Sequence, residues 1–421
     1  MTTVRVPYGK TELQATVPDD CEVQVIAPRT TAAAANPLGR AAAALANTAG
    51  NVRLADFAGA TTAAIAINDK TRPVDHAALL PPLLAELHAL GMKEQDITLV
   101  IASGTHVPMT PAEYEEILPA EIIARYPIVS HDALHGDELQ YLGDTSRGTP
   151  VYINAVYMRA DLHLAIGNVE PHQFMGFSGG VKSVAIGLAG KETINHNHAM
   201  MTNPDASLGI YHANPMRADV EEIGALLRVD FVLNALINNQ KQVVDVLAGA
   251  PVAVMEAAIP RVRALNEVMV DAAFDIVITS PGGHPKDCNL YQGQKALGHA
   301  SRIVKDEGAV ILTAACPDGT GSRAYEEWIL APGMTSHAAV FERFAQEGFR
   351  VGPHKAYQIS RDASRAHVTL ISEMEPEFVQ RLLLHTAENL QSALDAVVFP
   401  GARVGVMPAA NATIPVLKAA D

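Results

Sequence analysis

The chain has 421 residues, 48% hydrophobic and 18% charged, a balance that supports sizeable packed cores and predicts two domains rather than one. Its formal net charge of -15 argues against a nucleic-acid partner, because neutralising phosphates needs clustered Lys and Arg. The N-terminus lacks the basic and apolar regions of a secretory leader, no run is long and apolar enough to cross a bilayer, and Cys21, Cys288 and Cys316 are isolated thiols, so a cytoplasmic protein without a membrane partner is expected.

In chain order, short strands are predicted over 4–8 and 22–26, around a Pro-Asp-Asp turn, and then an Ala-rich loop and helix over 29–50. The apolar run 63–67 reads as a buried strand ending at Asn68-Asp69. A helix is predicted from 73 to 90, with Gly91 as its cap. Residues 97–101 read as a second buried strand, ending at Ser103-Gly104-Thr105-His106. Thr110-Pro111-Ala112-Glu113 has the pattern of a capping box with Pro at the first helical position, and predicts another helix. Residues 128–132 and 162–167 repeat the pattern of apolar strand and polar end. A second section begins near 274, with strands over 276–279 and 309–314 and a helix over 290–304 that carries Gln292 and Lys295.

This rhythm predicts an α/β fold of two domains, each with a largely parallel sheet flanked by helices. The expected division is 1–268 for a cofactor-binding domain and 269–399 for a domain contributing substrate-binding residues, with the tail 400–421 packing back on the first. Ligands of such sheets sit outside the carboxyl ends of the strands, where the polar segments fall. Because those segments come from both sections, the active site is expected in the cleft between the domains.

Four polar segments carry chemistry. In Asn68-Asp69-Lys70-Thr71-Arg72, the guanidinium of Arg72 offers a planar fork for a carboxylate or phosphate, and Asp69 can orient it. In Ser103-Gly104-Thr105-His106, the imidazole suits proton transfer near neutral pH, and Ser103 can contact a phosphate. The third segment runs from His172 through Ser178-Gly179-Gly180-Val181-Lys182 to Asn195-His196-Asn197-His198. Its glycines let backbone approach a ligand and can leave amides open to a phosphate, Lys182 can pair with an anion or act as a nucleophile, and its histidines suit Zn, Cu, Fe or Ni. Taken alone, Gly-Gly-x-Lys-Ser is more often an ordinary turn, and His-x-His is often a solvated pair. In the fourth segment, Tyr291-Gln292-Gly293-Gln294-Lys295, Gln292 and Lys295 share a helix face and can clamp a carboxylate.

These motifs, in this order, resemble the lactate racemases that use a nickel-pincer nucleotide, and the relatives that racemise or epimerise other 2-hydroxy acids. The resemblance rests on Asp69 to Arg72, Ser103 to His106, His172 through Lys182 to His198, and Tyr291, Gln292 and Lys295, and it covers most of the chain. It implies an isomerase whose cofactor, pyridinium-3-thioamide-5-thiocarboxylic acid mononucleotide carrying nickel, is joined to Lys182 through a thioamide. His198 would be the protein's nickel ligand, with His196 two residues away as the alternative. His106 and His172 would be the paired acid/base residues. Arg72, Tyr291, Gln292 and Lys295 would hold a small anionic 2-hydroxy acid, while Ser103, Ser178, Gly179, Gly180 and Asp69 would line the cofactor. The implied reaction is a transient oxidation at C2. Lactate is the first expected substrate, followed by malate or a sugar acid, and the host's cofactor-biosynthesis proteins are expected partners. Two competing readings remain at this stage: a zinc-dependent hydrolase using His172, His196 and His198, and a non-catalytic nucleotide or 2-hydroxyacid binder on the same scaffold.

Overall fold

The computed structural model describes residues 1–418, which fold into two compact units. Residues Thr30–Leu265 form one unit. Its six-stranded sheet runs in the order Val243–Gly249, Phe231–Ile237, Leu162–Val169, Ala63–Asn68, Ile97–Ala102, Ile128–Ser130. All neighbours are parallel except Val243–Gly249, which is antiparallel to Phe231–Ile237. The central strands are rich in Ala, Ile, Leu and Val and are buried nearly throughout, as a sheet covered on both faces requires. On one face Ile65, Ile67, Leu99, Ile101, Leu164 and Ile166 pack with Leu79, Leu80 and Leu83 of the helix His76–Ala89. That helix starts where Asp75 caps the Ala78 N–H at 3.1 Å.

The second unit is built around another six-stranded sheet, in the order His385–Thr386, His367–Ile371, Val304–Thr313, Phe274–Thr279, Arg403–Met407, Glu22–Val25, parallel at every pairing. This corrects the expected division at both chain ends. Residues Met1–Arg29 belong with the chain from Asn266 onward, not with the first unit. The tail likewise stays in this unit. Arg403–Met407 inserts between Phe274–Thr279 and Glu22–Val25, and Ile414–Leu417 pairs with Glu267–Val270. Residues 419–421 of the predicted tail lie outside the described residues. The cause is burial: the hairpin Thr2–Tyr8/Thr11–Val17 packs Val4, Val6, Ala15 and Val17 on Ile276, Ile278, Ile311, Val404 and Val406. The sequence reading missed its second strand, Thr11–Val17, although Leu13, Ala15 and Val17 alternate with Glu12, Gln14 and Thr16 as a half-buried strand requires.

The Thr110 capping box forms, with Thr110 N–H on Glu113 Oε2 at 2.8 Å, but the segment Pro111–Glu116 is a 3-10 turn rather than an α-helix. Pro119 follows too closely for a longer helix to continue. Among the described residues no helix is long and apolar enough to cross a membrane, and Cys21, Cys288 and Cys316 are free thiols.

Two buried histidines give the fold an acid sensitivity. His76 and His299 are nearly inaccessible, and each has Nδ1 on a backbone carbonyl, Ile117 at 2.9 Å and Thr413 at 2.8 Å. Burial pushes both down to about 4. The unfolded chain, with His near 6.5, binds the extra protons first, so stability falls as pH drops from about 6.5 to about 4, by on the order of 3 kcal/mol per group. Urea unfolding at several pH values should show this slope, and His76→Gln should make it shallower.

Candidate active site

Because the strands Ala63–Asn68, Ile97–Ala102, Leu162–Val169 and Phe231–Ile237 are parallel, their carboxyl ends share one edge of the first sheet. The first three expected segments leave from that edge. Cross-links draw them together: Asn168 Nδ2 donates to Pro73 O at 2.8 Å, Gly104 N–H to Gly187 O at 2.9 Å, and Ser183 Oγ to Asn68 Oδ1 at 3.4 Å.

Asp69 sits just past the Ala63–Asn68 strand, 2% exposed, and His106 just past the neighbouring strand. Asp69 Oδ2 and His106 Nδ1 are 2.7 Å apart, and Asp69 Oδ1 accepts from the Thr71 hydroxyl at 2.7 Å. Asp69 thus orients His106. Burial alone would raise the Asp69 carboxyl, but the His106 hydrogen bond and charge, with Thr71 and Arg72, outweigh it and hold the acid below its usual range. An ionised carboxylate only accepts, so the neutral His106 ring carries its proton on Nδ1 and presents a lone pair at Nε2. The ring is 40% exposed, open to a ligand. Arg72 is exposed and acts electrostatically on the Asp69 carboxylate.

His172 has the opposite polarity. It lies in the short pairing of Pro171–His172 with Gly176–Phe177, and Met175 N–H donates to its Nδ1 at 3.2 Å. A backbone N–H only donates, so the neutral ring carries its proton on Nε2. Phe174 lies edge-on between two imidazoles, 4.5 Å from His172 and 5.3 Å from His198 between ring centroids. The structure thereby brings His172 and His198 around one aromatic ring.

His198 and His196 belong to the helix Lys191–Ala199, and two residues is more than half a helical turn, so they leave it on different sides. His196 is exposed, with Nδ1 2.8 Å from Thr149 Oγ1. Thr149 gives its single hydroxyl proton to the buried Asp219, so His196 Nδ1 must be the donor in that contact. Asn197, between them, is structural: its amide donates to Asp219 at 2.8 Å and Met216 O at 3.1 Å.

Lys182 opens the short helix Lys182–Ala185 and is 7% exposed. The Gly179-Gly180 turn before it has φ of 85° and 60°, which glycine alone adopts without strain. A Cβ on Gly180 would meet Met255 Cγ at 2.7 Å, and one on Gly179 would meet Val169 Cγ2 at 2.6 Å. Several polar groups of this turn and of the strand ends also serve the fold. Gly180 N–H donates to Asn234 Oδ1 at 2.8 Å and Ser178 N–H to Glu170 O at 2.8 Å, while the Ser178 hydroxyl bonds Asn168 O at 2.9 Å. Ser103 is fully buried and donates to His131 O at 2.9 Å. These groups build the turn and the strand ends that fix Lys182 and His106.

The fourth segment lies in the other unit. Asn289 caps the helix Leu290–Ala300 through Gln292 N–H, and Lys295 Nζ donates to Gln292 Oε1 at 2.5 Å, so this pair shares a face as the spacing predicts. The sequence reading missed what packs on it. Lys355 lies over the Tyr291 ring at 4.4 Å, and the His354 ring is 5.8 Å from that ring edge-on. The signal was present: Lys355, Gln358, Ile359 and Asp362 recur at helical spacing on the buried face of His354–Ala363.

Among the described residues no group of three or more His, Cys, Asp or Glu is placed to hold a metal ion. A zinc site of the usual three-ligand kind therefore has no ligand set among them. A metal at His198 needs ligands from a bound organic group, and a nearly buried amine at Lys182 suits covalent attachment, since linkage as a thioamide removes a charge that is costly to bury.

The family model described as the lactate racemase N-terminal domain matches residues 8–209, and that of the lactate racemase C-terminal domain matches 269–410. The lactate racemase of Thermoanaerobacterium thermosaccharolyticum is 32% identical over 335 residues, 78% of each chain. That of Lactiplantibacillus plantarum is 28% identical over 356 residues, 83% of each chain. The solved lactate racemase apoprotein from T. thermosaccharolyticum superposes with a TM-score of 0.91, at 27% identity over 99% of this chain and 100% of that one. A Thermotoga maritima protein shares the fold, with a TM-score of 0.67 at 16% identity over 92% of this chain and 100% of that one.

Proposed function

The chain belongs to the lactate racemase family, and from that premise we propose that it is an isomerase that interconverts the enantiomers of a short 2-hydroxy acid such as lactate, using a nickel-pincer nucleotide tethered at Lys182. The observation that carries this reading is the opposed polarity of the two histidines: His106 is set to accept at Nε2 and His172 to donate there.

The cofactor, when bound, supplies a reversible acceptor for the C2 hydride, which no side chain of this protein can offer. Lys182 anchors it, and His198 rather than His196 ligates its metal, since His196 is committed to Thr149. The protein's own residues do the rest. His106 takes the hydroxyl proton at Nε2 as the C2–O bond becomes a carbonyl, and Asp69 stabilises the imidazolium that results. His172 Nε2–H hydrogen-bonds the same oxygen. His172 returns a proton only from its doubly protonated form, which must give up the Met175 contact. Arg72 offers a planar fork suited to a carboxylate, and in the other unit Gln292 and Lys295 offer a neighbouring amide and ammonium to an acid substrate. Tyr291 shapes the pocket beside them.

Protein made in a host that synthesises the cofactor should convert either single enantiomer of lactate to an equimolar mixture, followed by chiral chromatography. Protein that carries nickel and the Lys182 adduct yet leaves lactate, malate and gluconate all unchanged would contradict the reading.

A further inference from the structure

Lys355 is a charge without a counterion inside the second unit. It is 2% exposed and donates a hydrogen bond to Gln358 Oε1 at 2.8 Å, with Gln358 itself 3% exposed and uncharged. Its other neighbour is the face of Tyr291 at 4.4 Å. The adjacent cations add repulsion. Lys295 of the Tyr291 helix and Arg361 of its own helix both lie within electrostatic reach, Arg361 being paired with Asp362 at 2.9 and 3.1 Å. Burial, with these two charges, pushes the Lys355 ammonium well below the usual lysine range. Among the described residues no carboxylate bonds it. A buried ammonium of this kind is costly and is stabilised by an anion that arrives with a ligand.

The position identifies that ligand. Lys355 touches Tyr291 and lies within electrostatic reach of Lys295, the two residues assigned above to the substrate. A monocarboxylate satisfies Lys295 and leaves Lys355 bare. We propose that Lys355 binds a second carboxylate on the substrate, so that this enzyme accepts 2-hydroxydicarboxylates and prefers them to lactate. The inference rests on the racemase reading and adds a substrate class to it. Gln358 holds the ammonium in place, and the Tyr291 face stabilises it between turnovers.

The test compares lactate with malate on cofactor-loaded wild-type protein, Lys355→Met and Lys355→Gln. Wild type should favour malate in kcat/KM by about tenfold or more. Both variants should lose about 10²-fold on malate, mainly through KM, and change less than about threefold on lactate, in line with an interaction made equally in ground and transition states. Succinate should inhibit lactate racemisation by wild type about tenfold more strongly than butyrate, which has the same chain length and one carboxylate. This comparison does not depend on a variant folding. Equal inhibition by the two acids, or equal losses on both substrates accompanied by lower nickel and adduct content, would overturn the proposal; the second result would assign Lys355 to the cofactor. Lactate turnover without malate turnover sinks the substrate class and leaves the racemase reading intact. Absence of turnover on either acid by loaded protein sinks both.

Discussion

Replacing His106 with Gln is expected to lower kcat by about 10²–10⁴-fold, the usual worth of a positioned general base. Gln has nearly the reach of the imidazole and keeps a donor for Asp69, so the fold and the strand-end turn should be unaffected. KM should change little, because the ring acts on the hydroxyl proton and not on the carboxylate. Asp69→Asn isolates the positioning role. Asn still offers a carbonyl oxygen to Nδ1–H at the 2.7 Å contact but no negative charge to the imidazolium that forms, so kcat should fall about tenfold or more while KM changes little. A merely structural Asp69 would change the melting temperature and leave kcat of the folded protein in place. The folding contribution of Asp69 has the sign of a depressed acid: it is present above the unfolded value near 3.9 and is lost as pH falls through the lower folded one.

Lys182→Ala is expected to abolish activity and remove the cofactor's mass, while leaving circular dichroism and the melting temperature close to wild type. The Gly179-Gly180 turn and its Asn234 contact do not involve the Lys182 side chain, so the turn should keep its shape in the variant. Lys182→Arg sharpens the test. Arg keeps the positive charge and most of the length but cannot form the thioamide. If the residue only paired with an anion, Arg would restore partial activity; if it carries a covalent link, Arg is as inactive as Ala. Intact mass spectrometry on the variants separates these outcomes.

Much of the first sheet was legible in the sequence because its strands are short runs of Ala, Ile, Leu and Val that end abruptly in polar residues. The pairing partners of those runs were not. Nothing local in Glu22–Val25 or Arg403–Met407 announces that they lie side by side in one sheet, 381 residues apart between Glu22 and Arg403. The Thr110 signal was read correctly as a cap and wrongly as the start of a full helix, since a cap sets where a turn begins and Pro119 sets how soon it must stop.

In the candidate site, Asp69, His106, Lys182 and His198 stand out from motif and spacing. The hydrogen-bond polarity that gives the two histidines different roles does not, because it depends on Met175 N–H at one ring and a carboxylate at the other. The resemblance assigns Ser103, Ser178 and Gly180 to the cofactor, and their bonds to His131 O, Asn168 O and Asn234, which also hold the turn and the strand ends, are visible only in the folded chain. Lys355 escaped notice because a lysine in a helix is ordinarily solvated, and only the packed structure shows this one to be buried.

The most direct measurement of the central claim is racemisation of single-enantiomer lactate by cofactor-loaded protein in D2O, with C2 followed by proton NMR. Transient oxidation moves the C2 hydrogen as hydride and returns it, so the predicted result is an equimolar mixture that keeps its C2 hydrogen. Deuterium entering C2 at the rate of inversion would mean direct proton abstraction by a base and would contradict the account.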